Sequence, residues 1–516
     1  TYGVLYFLID SHSFKSLVYN KKIGSIRAKL VFLSANLFGY TKFNSSLFQI
    51  PIQHMRDRYI DLIEQTYYFP QDGFDLEDNW LRFHKIDLKS VIEEHGAPLS
   101  ITYLPKIGDN ISRARRWFQE AFESVGYNGH YYYCYCTKSN HFSYVLDEVL
   151  KNNAQLETSS AYDINLIRAL YEKNKIDKKI RIICNGFKPK GYTSSILSLI
   201  EDGFTNVVPV LDNMEEFDAY QSFNHDLNIG VRIAAEEEPK YQFYTSRLGI
   251  RQRDVIPFYI EKIKPNAHVK LRMLHFFIDS GIKDSAYYWS ELNKCLTMYV
   301  ELKQVCPELN SINIGGGMPI RYSLGSKYDY AYLIEEIVTK IKNFCDEAEI
   351  EHPNIYTEFG NFTVGESGCT IFEVIGQKKQ NDSELWYMIN GSLMTTVPDI
   401  WGMNQRFILL PINSWNQAYQ RTIIGGLSCD VSDYYNSEVD INQVYMPKII
   451  GEQKLYIGFF HTGAYQDSLS GYGGTKHCLI PSPKKIIIDK DANGKLTYEV
   501  FAAEQAPDTM LKVLGY

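Results

Sequence analysis

Between residues 131 and 358, short apolar runs alternate eight times with longer segments of helical period. The runs are 131–137, 155–158, 180–185, 206–211, 228–234, 269–277, 310–314 and 354–358. Between them, Asp163–Lys173, Ser194–Glu201, Ala286–Gln304 and Tyr328–Ala348 read as helices. Strands that run the same way need a crossover between them, and helices supply it. Eight such repeats close a parallel (β/α)8 TIM barrel, and the stretch is close to the roughly 250 residues this fold takes. Upstream, 87–96 reads as a short amphipathic helix, 97–104 as a strand and Ile111–Val125 as a helix. After residue 369 the rhythm changes. Thr370–Ile375, Leu385–Ile389, Arg421–Ile424, Lys454–Phe460 and Lys485–Asp489 read as strands without long helices between them, which predicts a C-terminal antiparallel β domain. The expected division is a segment 55–105 contributing to the β domain, a barrel at 106–369 and the β domain at 370–516.

A barrel of this kind carries its chemistry where its strands end, on the C-terminal rim. Lys138, Glu157, Asn185, Asp212, Arg232, His275, Gly315 and Glu358 all fall at or near such ends. Singly, each reads as an ordinary loop residue; together they describe a functional rim. Lys138 follows an uncharged run of aromatic and small residues, Tyr131–Thr137, suited to a strand buried on both faces. Desolvation there lowers a lysine's pKa and frees a nucleophilic amine, whereas a lysine snorkelling from the strand end gains neither. Gly315–Gly317 follows the seventh strand, where such barrels usually bind phosphate. Three glycines let backbone N–H groups close on an anion, although flexible turns use them too. Glu358 ends the eighth strand, and a carboxylate there can keep a pyridine nitrogen protonated. An amine, an anion cradle and such an acid are the three groups that pyridoxal 5'-phosphate requires.

Composition narrows the partners. A net charge of −8 argues against nucleic acid and is compatible with a cationic small molecule. The 39 tyrosines must include many that are half-buried with the hydroxyl satisfied. Nine scattered cysteines without a CxxC pair fit a reducing, cytoplasmic setting better than a disulfide framework or a structural zinc site, so no metal is expected. No apolar run approaches the roughly 18 residues that span a bilayer. Residues 1–54 hold one acid, Asp10, against Lys15, Lys21, Lys22, Arg27, Lys29 and Lys42. With Met55 just ahead of a helical pattern, they read as upstream sequence or a fragment edge, or alternatively as a transit peptide.

The sequence resembles the fold-type III, alanine racemase-like pyridoxal phosphate decarboxylases, and within them the biosynthetic arginine decarboxylases. The likeness runs from about residue 75 to 480. It is carried by Lys138-Ser139-Asn140, Leu156–Ser160, Ile183–Lys188, Ile312–Gly317, Glu358-Phe359-Gly360, Pro398–Gln405, Ser428–Asp433 and Gly463–Gln466. The resemblance implies a homodimer with shared active sites, each barrel completed by the partner's β domain. It implies that Lys138 links covalently to the cofactor, with Ser280, Gly315, Gly316, Gly317, Glu358 and Tyr465 around it. Cys429 would return a proton to the carbon that loses CO2, and Asp430 would bind the distal cation of the substrate. The implied reaction converts L-arginine to agmatine and CO2, upstream of polyamines such as spermidine. Diaminopimelate, carboxynorspermidine, ornithine and lysine serve relatives.

The chain also departs from the pattern. His275-Phe276-Phe277-Ile278-Asp279-Ser280 stands where the family has His-Phe-His-Leu-Gly-Ser. Phe277 can stack on a ring but cannot donate a hydrogen bond. Asp279 sets an anion near the phosphate loop, and Asn361 replaces a phosphate-facing arginine. These three residues support a rival reading, a non-catalytic regulatory homologue that has lost cofactor affinity. Retention of Lys138, Glu358, Cys429, Asp430 and Tyr465 opposes it.

Overall fold

A computed structural model describes residues 58–60, 66–235, 246–278, 281–282, 286–382, 384–435 and 444–516. The basic stretch 1–54, together with Asp279 and Ser280, lies outside the described residues. Eight strands form one closed barrel: β1 (Tyr131–Cys136), β2 (Gln155–Thr158), β3 (Arg181–Cys184), β4 (Asn206–Leu211), β5 (Leu227–Arg232), β6 (Val269–His275), β7 (Ser311–Asn313) and β8 (Asn354–Glu358). All neighbours pair in parallel, and β8 closes on β1 with Glu358 opposite Cys134.

Strand β1 shows how the sequence builds this wall. Its side chains alternate, so Tyr131, Tyr133 and Tyr135 face the layer between barrel and helices. Tyr132 and Cys134 face the interior, with Ile183, Val210, Met273 and Tyr356. The outward tyrosines keep their hydroxyls satisfied. Tyr131 pairs with Thr357 Oγ1 at 2.8 Å and Tyr133 with Thr363 Oγ1 at 2.7 Å, while Tyr135 donates to the Asn140 carbonyl at 2.9 Å. Burying them therefore adds packed area without the cost of an unpaired hydroxyl. The helices carry the expected caps, with Ser160 accepting from Asp163 N and Asp329 from Tyr332 N. The helix expected at Ile111–Val125 begins earlier, at Pro105, because proline at the first helical position loses no hydrogen bond.

The second layer is a sheet centred on Gly368–Lys379, which pairs antiparallel with Leu99–Tyr103, Leu385–Ile389 and Leu455–Phe460. The strand from the 97–104 segment is thus an inner strand of the C-terminal sheet. Two pairings run parallel: Leu385–Ile389 with Tyr419–Gly425, and Leu99–Tyr103 with Lys484–Lys490. Its core joins Leu99 and Ile101 to Phe74, Leu81, Phe83, Phe460, Ile486 and Ile488. The loop leaving Leu455–Phe460 returns to the barrel. Asn140 Nδ2 donates to the Gly463 carbonyl at 3.1 Å, and Tyr465 N donates to the Ser139 carbonyl at 2.8 Å.

Candidate active site

Lys138 occupies a single 3-10 turn, Thr137–Ser139, where β1 stops. Thr137 fixes that turn by donating from Oγ1 to the Glu157 carbonyl at 3.0 Å. Gly360 leaves room for Ser139, since any side chain there would strike the Ser139 hydroxyl. Lys138 Nζ donates to Glu157 Oε2 at 2.6 Å. The lysine side chain is 44 % exposed, while Glu157 is fully buried. Burial works to lower the Lys138 pKa, but its neighbours Cys136, Glu157 and Glu358 outweigh burial and hold it above the usual lysine range. Burial pushes the Cys136 thiol up, so the two carboxylates carry the effect. The sequence reading of a desolvated, deprotonated amine is corrected here: Glu157 keeps the amine charged.

Glu358 lies across the mouth and shares this network. Its Oε1 accepts from Asn313 Nδ2 at 2.6 Å and Asn185 Nδ2 at 2.8 Å, and its Oε2 lies 3.6 Å from His275 Nε2. Asn185 Nδ2 also reaches Glu157 Oε1 at 3.1 Å, joining the two carboxylates through one amide. Burial alone would raise the Glu358 carboxyl, but His275, Lys138 and Asn185 hold it well below the usual carboxylate range. It is therefore an anion, as a partner for a protonated ring nitrogen must be. Asn313 is a site residue the sequence reading missed. Its signal was a lone amide between Ile312 and Ile314, at an inward position of β7.

The glycine loop stands beside this carboxylate. Gly315 has φ +68° and Gly317 φ +92°, conformations that glycine adopts without strain. A Cβ on Gly316 would lie 2.5 Å from the Glu358 carbonyl oxygen, and one on Gly317 would lie 2.6 Å from Gly281 Cα. Gly315 N donates to Asn313 Oδ1 at 2.9 Å and Glu358 N to the Gly315 carbonyl at 2.8 Å. Phe277 packs against Gly315 and holds the Arg232 guanidinium 5.6 Å from its ring centroid. Asn361 exchanges hydrogen bonds with the Tyr322 hydroxyl at 2.9 and 3.1 Å.

The sequence-predicted residues divide into two groups. Lys138, Glu157, Asn185, His275, Gly315 and Glu358 come together at one mouth. Tyr465 stands beside them with φ +65°, clipped to Ser139, and Lys138 acts on its phenol. Among the described residues, Cys429 and Asp430 make no hydrogen bond to any of these groups. Cys429 is exposed, with Sγ 3.4 Å from Cys478 Sγ, and Asp430 Oδ1 accepts from Ser432 N at 2.7 Å. Ser280 lies outside the described residues. Two cavities, of about 590 and 320 Å³, open at the opposite end of the barrel and are lined by residues such as His130, Asn310 and Asn354. That end of such a barrel serves stability rather than chemistry.

The arrangement fits pyridoxal phosphate. Among the described residues, both ring nitrogens of His275 and Oδ1 of Asn185 are buried without a hydrogen-bond partner, and they flank a charged carboxylate and a lysine. The glycine loop admits no Cβ, which would meet the Phe276 and Glu358 carbonyls and Gly281. A barrel with a mouth lysine, a glycine cradle and a buried acid is built to hold pyridoxal phosphate, and its sequence matches the pyridoxal-dependent decarboxylases. Residues 109–365 match the family model described as the pyridoxal binding domain of the pyridoxal-dependent decarboxylases. Among individual relatives, the chain is 23 % identical to arginine decarboxylase 2 of Arabidopsis thaliana, over 81 % of this chain and 74 % of that one. The fold is that of the biosynthetic arginine decarboxylase of Campylobacter jejuni, with a TM-score of 0.73 at 20 % identity over 86 % and 89 % of the two chains. The diaminopimelate decarboxylase of M. jannaschii follows at a TM-score of 0.69 and 19 % identity, over 84 % of this chain and 96 % of that one.

Proposed function

We propose that this protein decarboxylates a basic amino acid with pyridoxal phosphate, and that the substrate is L-arginine, giving agmatine and CO2 for polyamine synthesis. The observation that carries the reading is the Lys138–Glu157–Asn185–Glu358–Asn313 network facing the glycine loop. When bound, the cofactor supplies an electron sink for the pair of electrons left by departing CO2. Lys138 would hold it covalently, its amine positioned by Glu157. Glu358 would keep a proton on the ring nitrogen, and Gly315–Gly317, with Ser280, would receive the phosphate through N–H and hydroxyl donors. Tyr465 and Phe277 would border the ring. Cys429 and Asp430 act from the partner of a cytoplasmic homodimer. The thiol returns a proton to the substrate carbon, and the carboxylate takes the guanidinium through paired hydrogen bonds.

Absorbance of the purified protein tests this reading. A cofactor band that disappears in Lys138→Ala, with CO2 released from arginine ahead of lysine, ornithine and diaminopimelate, is the expected result. Asn361, tied to Tyr322 where the family has a cation, favours a second reading, a regulatory homologue with weak cofactor retention. A protein that stays colourless at saturating pyridoxal phosphate would establish that second reading and end the first.

A further inference from the structure

Cys429 and Cys478 are the two exposed cysteines of the chain, and the other seven are buried. The two come from distant segments and meet on the surface of the sheet layer, Sγ to Sγ at 3.4 Å, with Cys429 N also 3.5 Å from Cys478 Sγ. His477 precedes Cys478, and one ligand atom from each of the three residues lies within 4.8 Å of the others. The turn His477–Leu479 holds this geometry with left-handed backbone at Cys478 (φ +55°) and Leu479 (φ +53°). Two thiols and an imidazole with this spacing match three corners of a tetrahedron around a borderline-soft cation, whose thiolate and imidazole bonds are roughly 2.0–2.3 Å long. Carboxylate-only clusters select hard cations; this set does not.

We propose that Cys429, Cys478 and His477 form a binding site for a divalent cation of the zinc class, with water in the fourth position. On binding, both thiols give up their protons to solvent and the imidazole stays neutral. The site goes beyond the proposed decarboxylation. It touches that reading at one residue, because a cation on Cys429 Sγ would occupy the thiol assigned as proton donor and so inhibit turnover. The binding experiment does not depend on turnover, so the failure of either idea is visible separately.

Cobalt(II) titrated into the reduced full-length protein tests the site. The expected result is thiolate-to-cobalt charge-transfer absorption with the intense visible bands of tetrahedral cobalt, bleached by zinc. Cys478→Ser should remove the charge-transfer band or weaken affinity by more than the ~10–100-fold that even outer partners of a metal site are worth. His477→Ala should weaken binding while retaining thiolate absorption. Both positions are exposed, so folding is preserved, and far-ultraviolet circular dichroism checks this. Zinc should also protect Cys478 from alkylation. Absence of the bands in the wild-type protein, or bands that persist unchanged in Cys478→Ser, would overturn the proposal.

Discussion

At the barrel mouth, Glu157, Asn185, Asn313 and Glu358 are all at least nine-tenths buried and hold one another through amide–carboxylate bonds. The loop Ser428–Asp433 is organised the other way. The Asp433 carboxylate accepts from the backbone of Ser428 and Met394, and Asp430 accepts from Ser432. This leaves Cys429 exposed and Val431 90 % exposed. One region is finished within the chain; the other is a shaped edge whose side chains face outward. The contrast teaches that cofactor binding and substrate turnover need different amounts of protein. Under the proposed function, a single chain holds what the cofactor needs, and a second copy would supply what the substrate needs.

The sharpest way to break this contrast is complementation. Cys429→Ala is expected to lower kcat by roughly 10²–10⁴-fold, the range of a placed proton donor, while leaving the cofactor spectrum intact. Mixed with Lys138→Ala, it should recover activity up to about a quarter of wild type, because a mixed dimer assembles one intact site. No recovery from verified mixed dimers would mean that each barrel is completed by its own chain.

A second difference lies along the pH axis. Glu358 is held charged at the mouth, whereas His84, stacked on Tyr103 beside the sheet, is pushed down to about 4, chiefly by burial. Its neutral form is the folded one. The stability it contributes is complete above its ordinary 6.5 and is lost as pH falls from there towards 4. The loss amounts to about 3 kcal/mol, and thermal melts should show it as a Tm decline that His84→Gln flattens.

Packing offers a smaller test. Gly316→Ala drives a methyl against the Glu358 carbonyl and should cost roughly 1–3 kcal/mol in denaturant melts, with weaker cofactor retention. Val431→Ala on the open loop should stay within about 0.5 kcal/mol. A last test concerns Glu157→Gln. Removing the carboxylate should lower the Lys138 pKa, so the pH midpoint of cofactor attachment should move down. An unchanged midpoint would remove Glu157 from that role.

Much of this was legible because periodicity encodes it. The runs 155–158, 206–211 and 354–358 coincide with β2, β4 and β8, and the others differ by one or two residues at their ends. Strand ends place Lys138, Glu157 and Glu358 on one rim without any tertiary knowledge. The Lys138 charge state was not legible, since nothing in a separation of 19 residues says that Glu157 lies at 2.6 Å. Ile408–Pro411 and Val444–Pro447 escaped notice because each is four residues long and ends in proline, a breaker signal. The hairpin Phe74–Glu77 and Trp80–Phe83 did carry a signal, Asp78-Asn79, whose positive φ angles make the tight turn that joins the two strands.

Leu99–Tyr103 is made early in synthesis, yet both its neighbours in the sheet, Gly368–Lys379 and Lys484–Lys490, emerge only after the whole barrel. The barrel can close from neighbouring repeats as they appear, whereas this apolar strand must wait without its hydrogen-bonding partners on either edge. During that interval it is an unpaired template for any other extended chain. The order of manufacture therefore exposes one short segment for most of translation, and nascent-chain yield should depend on protecting it more than on any residue of the catalytic mouth.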